Sequence, residues 1–194
     1  MGTGSKSNWP QYSGIERRKF DKFMKTPTMK RMLFFVFPVF FTFPQVEAQQ
    51  DTVTKEINEQ VWKPFIRSFN NGDDEAFKAV HSKEIIRAIR DGKDIYGYDR
   101  YFQKTADSVK AKWGDWKKNI ELRFIQRIAG NDKAFEVGYY KTTSTNRQTG
   151  EIRKSIGQFH VLMRKENGVW KILMDADTGE GASEEVFNKA KPLE

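Results

Sequence analysis

Residues 157–175 read GQFHVLMRKENGVWKILMD, and this stretch decides the fold. Two runs of alternating apolar and polar side chains flank Asn167-Gly168, a dipeptide that favours the two-residue turn of a β-hairpin. Such a turn fixes which residues of the two strands lie opposite each other. The predicted pairs are Met163 with Ile172, Val161 with Met174, and His160 with Asp175.

The same alternation extends back to residue 117. Turn residues divide it into four long strands of an antiparallel meander, predicted at 117–128, 133–145, 151–165 and 169–177. With the turns taken at face value, every strand contributes apolar side chains to one face of the sheet. The predicted members of this face are Ile120, Leu122, Phe124, Phe135, Val137, Tyr139, Phe159, Val161, Met163, Trp170, Ile172 and Met174.

Before residue 114 the apolar residues recur at helical spacing. A first helix from Asp51 stops at Asn70-Asn-Gly72, and Asp73 or Asp74 can cap a short second helix. A short strand pair at 85–89 and 94–96 precedes a third helix at 98–113. We therefore predict an α+β fold, with three N-terminal helices packed on a strongly curved antiparallel sheet of four long strands plus the short strand pair.

Charge and cysteine content narrow the classes of function. The net charge is +8, but residues 1–48 contain eight Lys or Arg and three Asp or Glu, which leaves 26 and 23 for the rest. Because the body of the chain is nearly balanced, we do not expect it to bind nucleic acid. The absence of cysteine excludes disulfides, thiol catalysis and Cys-ligated metal.

The N-terminal region has the order of a secretory signal peptide. Lys30-Arg31 precedes an apolar run at 32–43, and Val46-Glu-Ala48 supplies small or medium residues at the −3 and −1 positions of a cleavage site. We predict a signal peptide over 29–48, a folded domain over 49–182 and a short C-terminal helix over 183–194, with no stable membrane insertion after cleavage. Residues 1–28 are then a mis-assigned or extended start, with Met1, Met24 and Met29 as candidate first residues. The predicted location is periplasmic or secreted.

Three local patterns resemble the nuclear transport factor 2-like superfamily, in its SnoaL-like branch with the cystatin-like cone fold. They are the turn at 69–77, the entry into the third helix at 92–102, and the two closing strands at 157–172. The resemblance covers about 51–178 and implies a pocket between sheet and helices. Its members include isomerases, dehydratases, cyclases and binding or assembly domains, so the fold does not define the function.

The resemblance also implies where catalytic groups should lie, and the sequence departs from it there. Steroid isomerases of this superfamily have a general base on the short strand pair, but residues 85–90 contain no carboxylate, and Glu84 and Asp91 flank them. Polar positions near the end of the last strand would correspond to Met174 and Ala176, which are inert.

A polar cluster is expected on the opposite face of the sheet. Under the predicted pairing Gln158, His160, Asp175 and Asp177 are neighbours, and Glu136 faces His160. A histidine beside carboxylates can transfer protons, so His160, Asp175 and Asp177 are the candidate catalytic residues. A polar outer face or a dimer interface is the alternative. A β-bulge in the last strand would instead turn Asp175 or Asp177 into the cone.

The candidate ligand-binding residues are Tyr96, Tyr98, Arg87, Trp62 and Trp113. Tyr96 and Tyr98 flank a glycine and carry hydroxyls that need partners, and Arg87 alternates with Ile86 on the short strand. Aromatic residues at this spacing more often form the core than a pocket. His81 is expected to be a solvated helix end. No pattern indicates a metal or another cofactor.

Two functions follow as alternatives. The first is an exported module that binds a small apolar or amphipathic molecule or self-associates through its sheet as a homodimer. The second is a cofactor-free lyase, isomerase or hydrolase that uses acid-base residues in or near the cone.

Overall fold

The computed structural model of the chain describes residues 45–103 and 114–194. Its first helical segment consists of α1 (Gln45–Ile57), a π-helical turn (Asn58–Trp62) and α2 (Lys63–Asn71). The predicted cleavage site after Ala48 falls within α1. The segment ends where predicted, at Gly72, whose left-handed backbone (φ 67°) lets its N–H donate to the carbonyls of the last turn.

The next elements follow the predicted order with different lengths. Helix α3 (Asp74–Ala79) is capped by Asp73, whose carboxylate accepts from the Ala76 N–H at 3.0 Å. Strand β1 (His81–Ile89) is longer than the predicted 85–89 because it begins directly after α3. Strand β2 (Asp94–Tyr96) and helix α4 (Tyr98–Phe102) follow. The remainder of the predicted third helix, at 104–113, lies outside the described residues.

The long strands lie within two residues of their predicted ends. The turn between the last two of them has positive φ at both Asn167 (50°) and Gly168 (83°), as the hairpin prediction requires. After the last long strand come helix α5 and a short edge strand. The ranges are β3 (Trp116–Ala129), β4 (Lys133–Asn146), β5 (Ile152–Glu166), β6 (Val169–Thr178), α5 (Glu184–Lys189) and β7 (Lys191–Pro192).

The seven strands form one curved sheet in the order β2-β1-β6-β5-β4-β3-β7. Strands β1 and β6 pair in parallel, and every other neighbouring pair is antiparallel. This arrangement confirms the predicted α+β class with a curved, mostly antiparallel sheet. The predicted C-terminal helix buries Phe187, and β7 then pairs with β3.

A β-bulge in β6 corrects the predicted pairing of the last hairpin. Met163 lies opposite Ile172 as predicted, but Leu162 lies opposite Met174, which leaves Leu173 as an extra residue on β6. Because side chains alternate along a strand, one extra residue exchanges the two faces beyond it. The corrected pairs are Val161 with Asp175, His160 with Ala176, and Phe159 with Asp177. Met174 and Ala176 therefore leave the inner face, and Asp175 and Asp177 enter it.

Strand β4 also presents the opposite face to the one predicted. Phe159 lies opposite Gly138 rather than Val137, and a second bulge at Ile125 shifts the pairing with β3. The reason is steric, because a Cβ at position 138 would lie 2.5 Å from the Phe159 ring. The side chains of β4 that share the inner face are therefore Ala134, Glu136, Tyr140 and Thr142, instead of Phe135, Val137 and Tyr139.

Glu136 joins the helical segment to the sheet. The sequence placed it on the outer face opposite His160, but it is fully buried. Its carboxylate accepts from Trp62 Nε1 at 2.6 Å and from Arg127 Nε at 2.9 Å. Burial raises the pKa of Glu136, although Arg127 and the Trp62 hydrogen bond act in the opposite direction. These contacts hold the Trp62 ring against Phe124 and Phe159, with centroids 5.6 and 5.4 Å away.

The outer face of the sheet carries a cross-strand row of apolar side chains, which we call the outer apolar row. Each member lies opposite the next in register across β1, β6, β5, β4 and β3. The residues at the two ends of the row are 49% and 52% exposed. The row consists of Ile86, Met174, Leu162, Phe135 and Ile128.

His81 is buried rather than solvated, which corrects the sequence prediction. It is 4% exposed and its ring lies between Phe77 and Tyr101, with centroid separations of 4.9 and 5.6 Å. Nδ1 lies 2.7 Å from the Phe77 carbonyl oxygen, so Nδ1 carries the proton and donates it. Nε2 accepts no hydrogen bond from the part of the chain that the structure describes. Burial lowers the pKa of His81 to about 4, and the nearby Arg87 lowers it further, although the Phe77 hydrogen bond opposes the shift.

The buried neutral His81 predicts a loss of stability in mild acid. Unfolding returns its pKa to about 6.5, so the unfolded chain binds more protons than the folded chain between pH 6.5 and 4. The contribution of neutral His81 to the free energy of unfolding is therefore fully present above pH 6.5, and it is lost as the pH falls through this window. We expect the decrease in the free energy of unfolding from pH 7 to pH 5 to be about 2 kcal/mol smaller in His81→Gln than in the native chain.

Urea unfolding at the two pH values measures this difference. The matched control is His160→Gln, at the other histidine of the chain, which lies on the outer face and should leave the His81-dependent loss in place. Equal decreases in His81→Gln and in the native chain would contradict the assignment.

Candidate functional site

A cavity of about 230 Å³ lies between the inner face of the sheet and the helical segment. Its walls are mostly apolar, and its polar lining residues come from β1, α4, β4 and β6. The apolar lining residues are Trp62, Phe65, Phe69, Phe77, Ile120, Leu122, Phe159, Val161 and Ile172. The polar lining residues are Arg87, Tyr101, Tyr140, Thr142, Asp175 and Asp177.

Arg87 and two aspartates form the ionic centre of the polar lining. Arg87 on β1 lies opposite Asp175 on β6 in the parallel pair. Its Nη2 donates to Asp177 Oδ2 at 2.6 Å, and its Nε lies 3.6 Å from Asp175 Oδ2. Nη1 donates to the carbonyl oxygens of Ala88 and Asp175 at 3.1 and 3.0 Å. The guanidinium is thus held by both strands, and both carboxylates face the same side of the sheet as Val161.

Two tyrosines complete this cluster. The Tyr101 hydroxyl donates to Asp175 Oδ2 at 3.0 Å, and the Tyr140 hydroxyl donates to Asp177 Oδ2 at 3.5 Å. Tyr140 occupies space that a side chain at Gly157 would fill, since a Cβ there would lie 2.4 Å from the hydroxyl oxygen. Gly157, directly opposite Tyr140 on β5, therefore sets the position of this hydroxyl.

Burial and charge shift the pKa values of the cluster in different directions. Burial raises the pKa of Asp175, while Arg87 opposes that shift. Burial alone would lower the pKa of Arg87, but Asp175, Tyr101 and Asp177 outweigh it and raise the pKa. Burial and the nearby Asp177 raise the pKa of Tyr140 to about 12, and burial with Asp175 raises that of Tyr101. The tyrosines are therefore hydrogen-bond donors at neutral pH, and Arg87 is a permanent cation.

The predicted polar cluster around His160 does not form. His160 lies opposite Ala176 and Val137 on the outer face, and its ring stacks on Phe135 at 6.4 Å. Partial burial and Arg90 lower its pKa. Asp175 and Asp177 lie on the inner face instead, through the bulge that the sequence analysis raised as an alternative. His160 is thus separated from both aspartates by the sheet.

The predicted ligand-binding residues divide between two places. Arg87 and Trp62 line the cavity. Tyr96 and Tyr98 lie outside it, where Arg100 stacks on the Tyr96 ring at 4.6 Å and Lys83 donates to the Tyr98 hydroxyl at 2.8 Å. Trp113 lies outside the described residues.

Tyr140 is a site residue that the sequence did not indicate. Its neighbour Tyr139 was predicted to point inward because the pairing of β4 was shifted by one residue. The available signal was the pair of glycines at 138 and 157, since each leaves room for an aromatic ring on the strand beside it. Tyr101 also lines the cavity, although the sequence places it only within the predicted third helix.

The described residues offer neither a metal site nor a membrane span. Within 45–103 and 114–194, no group of three or more His, Asp or Glu side chains is placed to hold a metal ion. In the same ranges no helix is both long enough and apolar enough to cross a membrane.

Solved structures of other proteins share this architecture. A protein with a cystatin-like fold from Novosphingobium aromaticivorans is 13% identical with a TM-score of 0.55, and the match covers 76% of this chain and 96% of that one. A nuclear transport factor 2-like protein from Salmonella enterica is 15% identical, with a TM-score of 0.51 and coverage of 69% and 92%. The hexachlorocyclohexane dehydrochlorinase LinA-type3 from Novosphingobium barchaimii is 10% identical, with a TM-score of 0.52 and coverage of 70% and 92%.

No protein-family model and no curated protein matches the sequence. At identities of 10–15% the likeness concerns the fold and leaves the chemistry of the site to be argued from its own residues. The curved sheet, the helical segment packed on its inner face and the cavity between them agree with the resemblance in the sequence: the chain has the nuclear transport factor 2-like, cystatin-like fold.

Proposed function

We propose that this chain binds a small amphipathic molecule in the cavity between sheet and helices. The observation that carries the proposal is a mostly apolar cavity of about 230 Å³ that is also lined by a partly buried cluster of Arg87, Asp175, Asp177 and two tyrosines. Apolar walls with a few convergent polar groups are typical of ligand sites in proteins. The signal-peptide pattern at 29–48 extends the proposal to an exported protein.

Energetic considerations support a binding role for the cluster. Burying one arginine and two aspartates costs more free energy than packing apolar side chains of similar volume. Apolar side chains at these positions would stabilise the fold at least as well, so stability alone does not explain why the charged groups are there. Their position beside an open volume is explained if they orient a ligand.

Blocking the cavity tests the proposal. Thr142 lines the cavity near the end of β4, and Thr142→Phe should place a ring in the volume that a ligand needs. We expect this substitution to weaken binding of the neutral fluorescent probe N-phenyl-1-naphthylamine by about tenfold or more, measured by fluorescence titration of the full chain.

The matched control is Thr143→Phe, which adds the same ring to the opposite face of β4. It should leave the affinity unchanged. Equal affinities in both variants and the native chain would show that the probe binds elsewhere, and an absence of binding to the native chain would refute the proposal.

A second candidate function is acid-base catalysis by Asp175 without a cofactor. The observation that favours it is the bulge at Leu173, which turns this carboxylate toward the cavity. The raised pKa of Asp175 brings it closer to the range in which a carboxylate is an effective base near neutral pH. Tyr101 and Arg87 would position it. His160, the third member of the predicted catalytic set, has no part in this candidate.

Hydrogen exchange on an enolisable ketone tests the catalytic candidate. We expect the native chain to accelerate the exchange of the α-protons of 2-tetralone in D₂O, followed by NMR. Asp175→Asn should lose about 100-fold or more of this acceleration, the usual contribution of a general base, while still binding N-phenyl-1-naphthylamine. Equal exchange rates for the native chain and Asp175→Asn would exclude this role.

We also propose that two copies of the chain associate through the outer apolar row. The row spans five strands, and the charged cluster lies on the other side of the sheet, so the cavity stays accessible in such a dimer. A two-fold interface uses the same patch on both copies, which a continuous apolar row satisfies more readily than a charged one. Large exposed apolar patches mark association sites on soluble proteins.

Light scattering after size exclusion measures this association. We expect twice the 22.7 kDa chain mass for the native chain and a single chain mass for Leu162→Lys, because a buried unpaired charge disfavours the interface. The control Gln148→Lys, in the turn after β4, should remain dimeric. A monomeric native chain, or a dimeric Leu162→Lys, would overturn the proposal.

A further inference from the structure

The charges around the cavity do not balance. Among the described residues that line it, Arg87 is the one cation, and Asp175 and Asp177 are the two carboxylates. With both aspartates ionised the polar lining therefore carries one net negative charge. Both aspartate side chains are partly open, with exposed fractions of 15% and 22%, so a bound molecule can contact them.

The hydrogen-bonding capacity of the cluster is also unbalanced. The hydroxyls of Tyr101 and Tyr140 and the Nε and Nη2 atoms of Arg87 point to the Oδ2 atoms of the two aspartates. Arg87 Nη1 donates to the backbone carbonyls of Ala88 and Asp175. Within the described ranges, no side-chain hydrogen bond or ion pair of this cluster ends on an Oδ1 atom. A carboxylate has room for about four hydrogen bonds. The cluster therefore offers free acceptors, while its donors are already engaged.

The walls of the cavity agree with this polarity. The faces of aromatic rings carry partial negative charge and attract cations, and Trp62, Phe65, Phe77, Tyr101 and Phe159 contribute to the lining. The one cationic group available to an anionic head group is the Arg87 guanidinium, and two carboxylates already neutralise its charge. The same lining therefore attracts a cation and repels an anion.

We infer that the cavity selects an organic cation, a protonated amine with an apolar body, and that the ammonium group binds between Asp175 and Asp177. The inference rests on the proposed function and adds the chemical class of its ligand. The amine hydrogens meet the free Oδ1 acceptors, the positive charge balances the cluster, and the apolar body lies against the aromatic walls. A neutral alcohol meets the acceptors but leaves the charge unbalanced.

Three matched probes test this selectivity on the full chain. They are 4-phenylbutylamine, 4-phenylbutan-1-ol and 5-phenylpentanoate, which share one phenylbutyl body and differ in the head group. Each is titrated at pH 7 as a competitor of N-phenyl-1-naphthylamine, which is neutral at this pH. We expect the amine to bind at least about tenfold more tightly than the alcohol, since hydrogen bonds to charged groups are the stronger ones, and the carboxylate to bind most weakly.

Removing one charge from the cluster tests the residues. Asp177→Asn keeps the shape of the side chain, and it should weaken amine binding by about tenfold while changing the affinity for the alcohol less than about twofold. The control Glu121→Gln removes one negative charge from an exposed position on β3 and should leave all three affinities unchanged. If Asp177→Asn fails to fold, the comparison of the three probes on the native chain still decides.

The outcomes separate the two proposals. Binding of the alcohol or the carboxylate as tightly as the amine overturns the inference about charge and leaves cavity binding standing. If none of the three probes competes although N-phenyl-1-naphthylamine binds, the inference about charge is also overturned and cavity binding still stands. If the neutral probe also fails to bind, the proposed function itself is wrong.

Discussion

The bulge at Leu173 is the constraint on which the candidate site depends. Before it, β6 presents Trp170 and Ile172 to the core, as an uninterrupted alternation requires. Beyond it, the extra residue exchanges the faces, so Asp175 and Asp177 take the inward positions while Met174 and Ala176 turn outward. Strand β1 pairs in parallel with this same part of β6, which brings Arg87 directly beside Asp175. Without the bulge, Arg87 would face the apolar side chains of Met174 and Ala176.

The inward aspartates are tolerated because donors surround them. A buried carboxylate without partners is strongly destabilising. Here Arg87 forms an ion pair with Asp177, and the hydroxyls of Tyr101 and Tyr140 donate hydrogen bonds to Asp175 and Asp177. These three residues come from β1, α4 and β4, so the cluster connects elements that are distant in the sequence. Gly157 on β5 contributes by leaving the space that Tyr140 occupies.

A second buried polar group, Glu136, supports the part of the cavity wall that Trp62 forms. Glu136 accepts hydrogen bonds from Trp62 and from Arg127. Arg127 also donates to the side-chain oxygen of Asn58 at 2.6 Å. Asn58 and Trp62 begin and end the π-helical turn, a departure from the α-helix that often accompanies functional sites. The wall that Trp62 provides is therefore fixed to the sheet by hydrogen bonds as well as by packing, which favours a cavity that exists before a ligand binds.

Local signals in the sequence determined much of this structure. Asn167-Gly168 and Gly72 specify a turn and a helix end through their backbone preferences, and both were found where predicted. Of the two candidate caps, Asp73 and Asp74, the structure shows Asp73 as the cap. The positions of the helices and strands between such signals, and therefore the α+β class, follow from the same short-range rules. Asp175, Asp177 and Arg87 could be named as candidates for the same reason, because charged residues are conspicuous among alternating apolar ones.

The tertiary structure alone decided which face each of these residues occupies. The bulge at Leu173, the shifted pairing of Gly138 with Phe159 and the burial of His81 each depend on side chains that contact one another across different elements. A register shift of one residue is invisible to a pattern with a period of two, since it changes the face and leaves the alternation intact. For that reason the sequence determined the strands and the candidate residues, whereas packing between strands and helices determined the site.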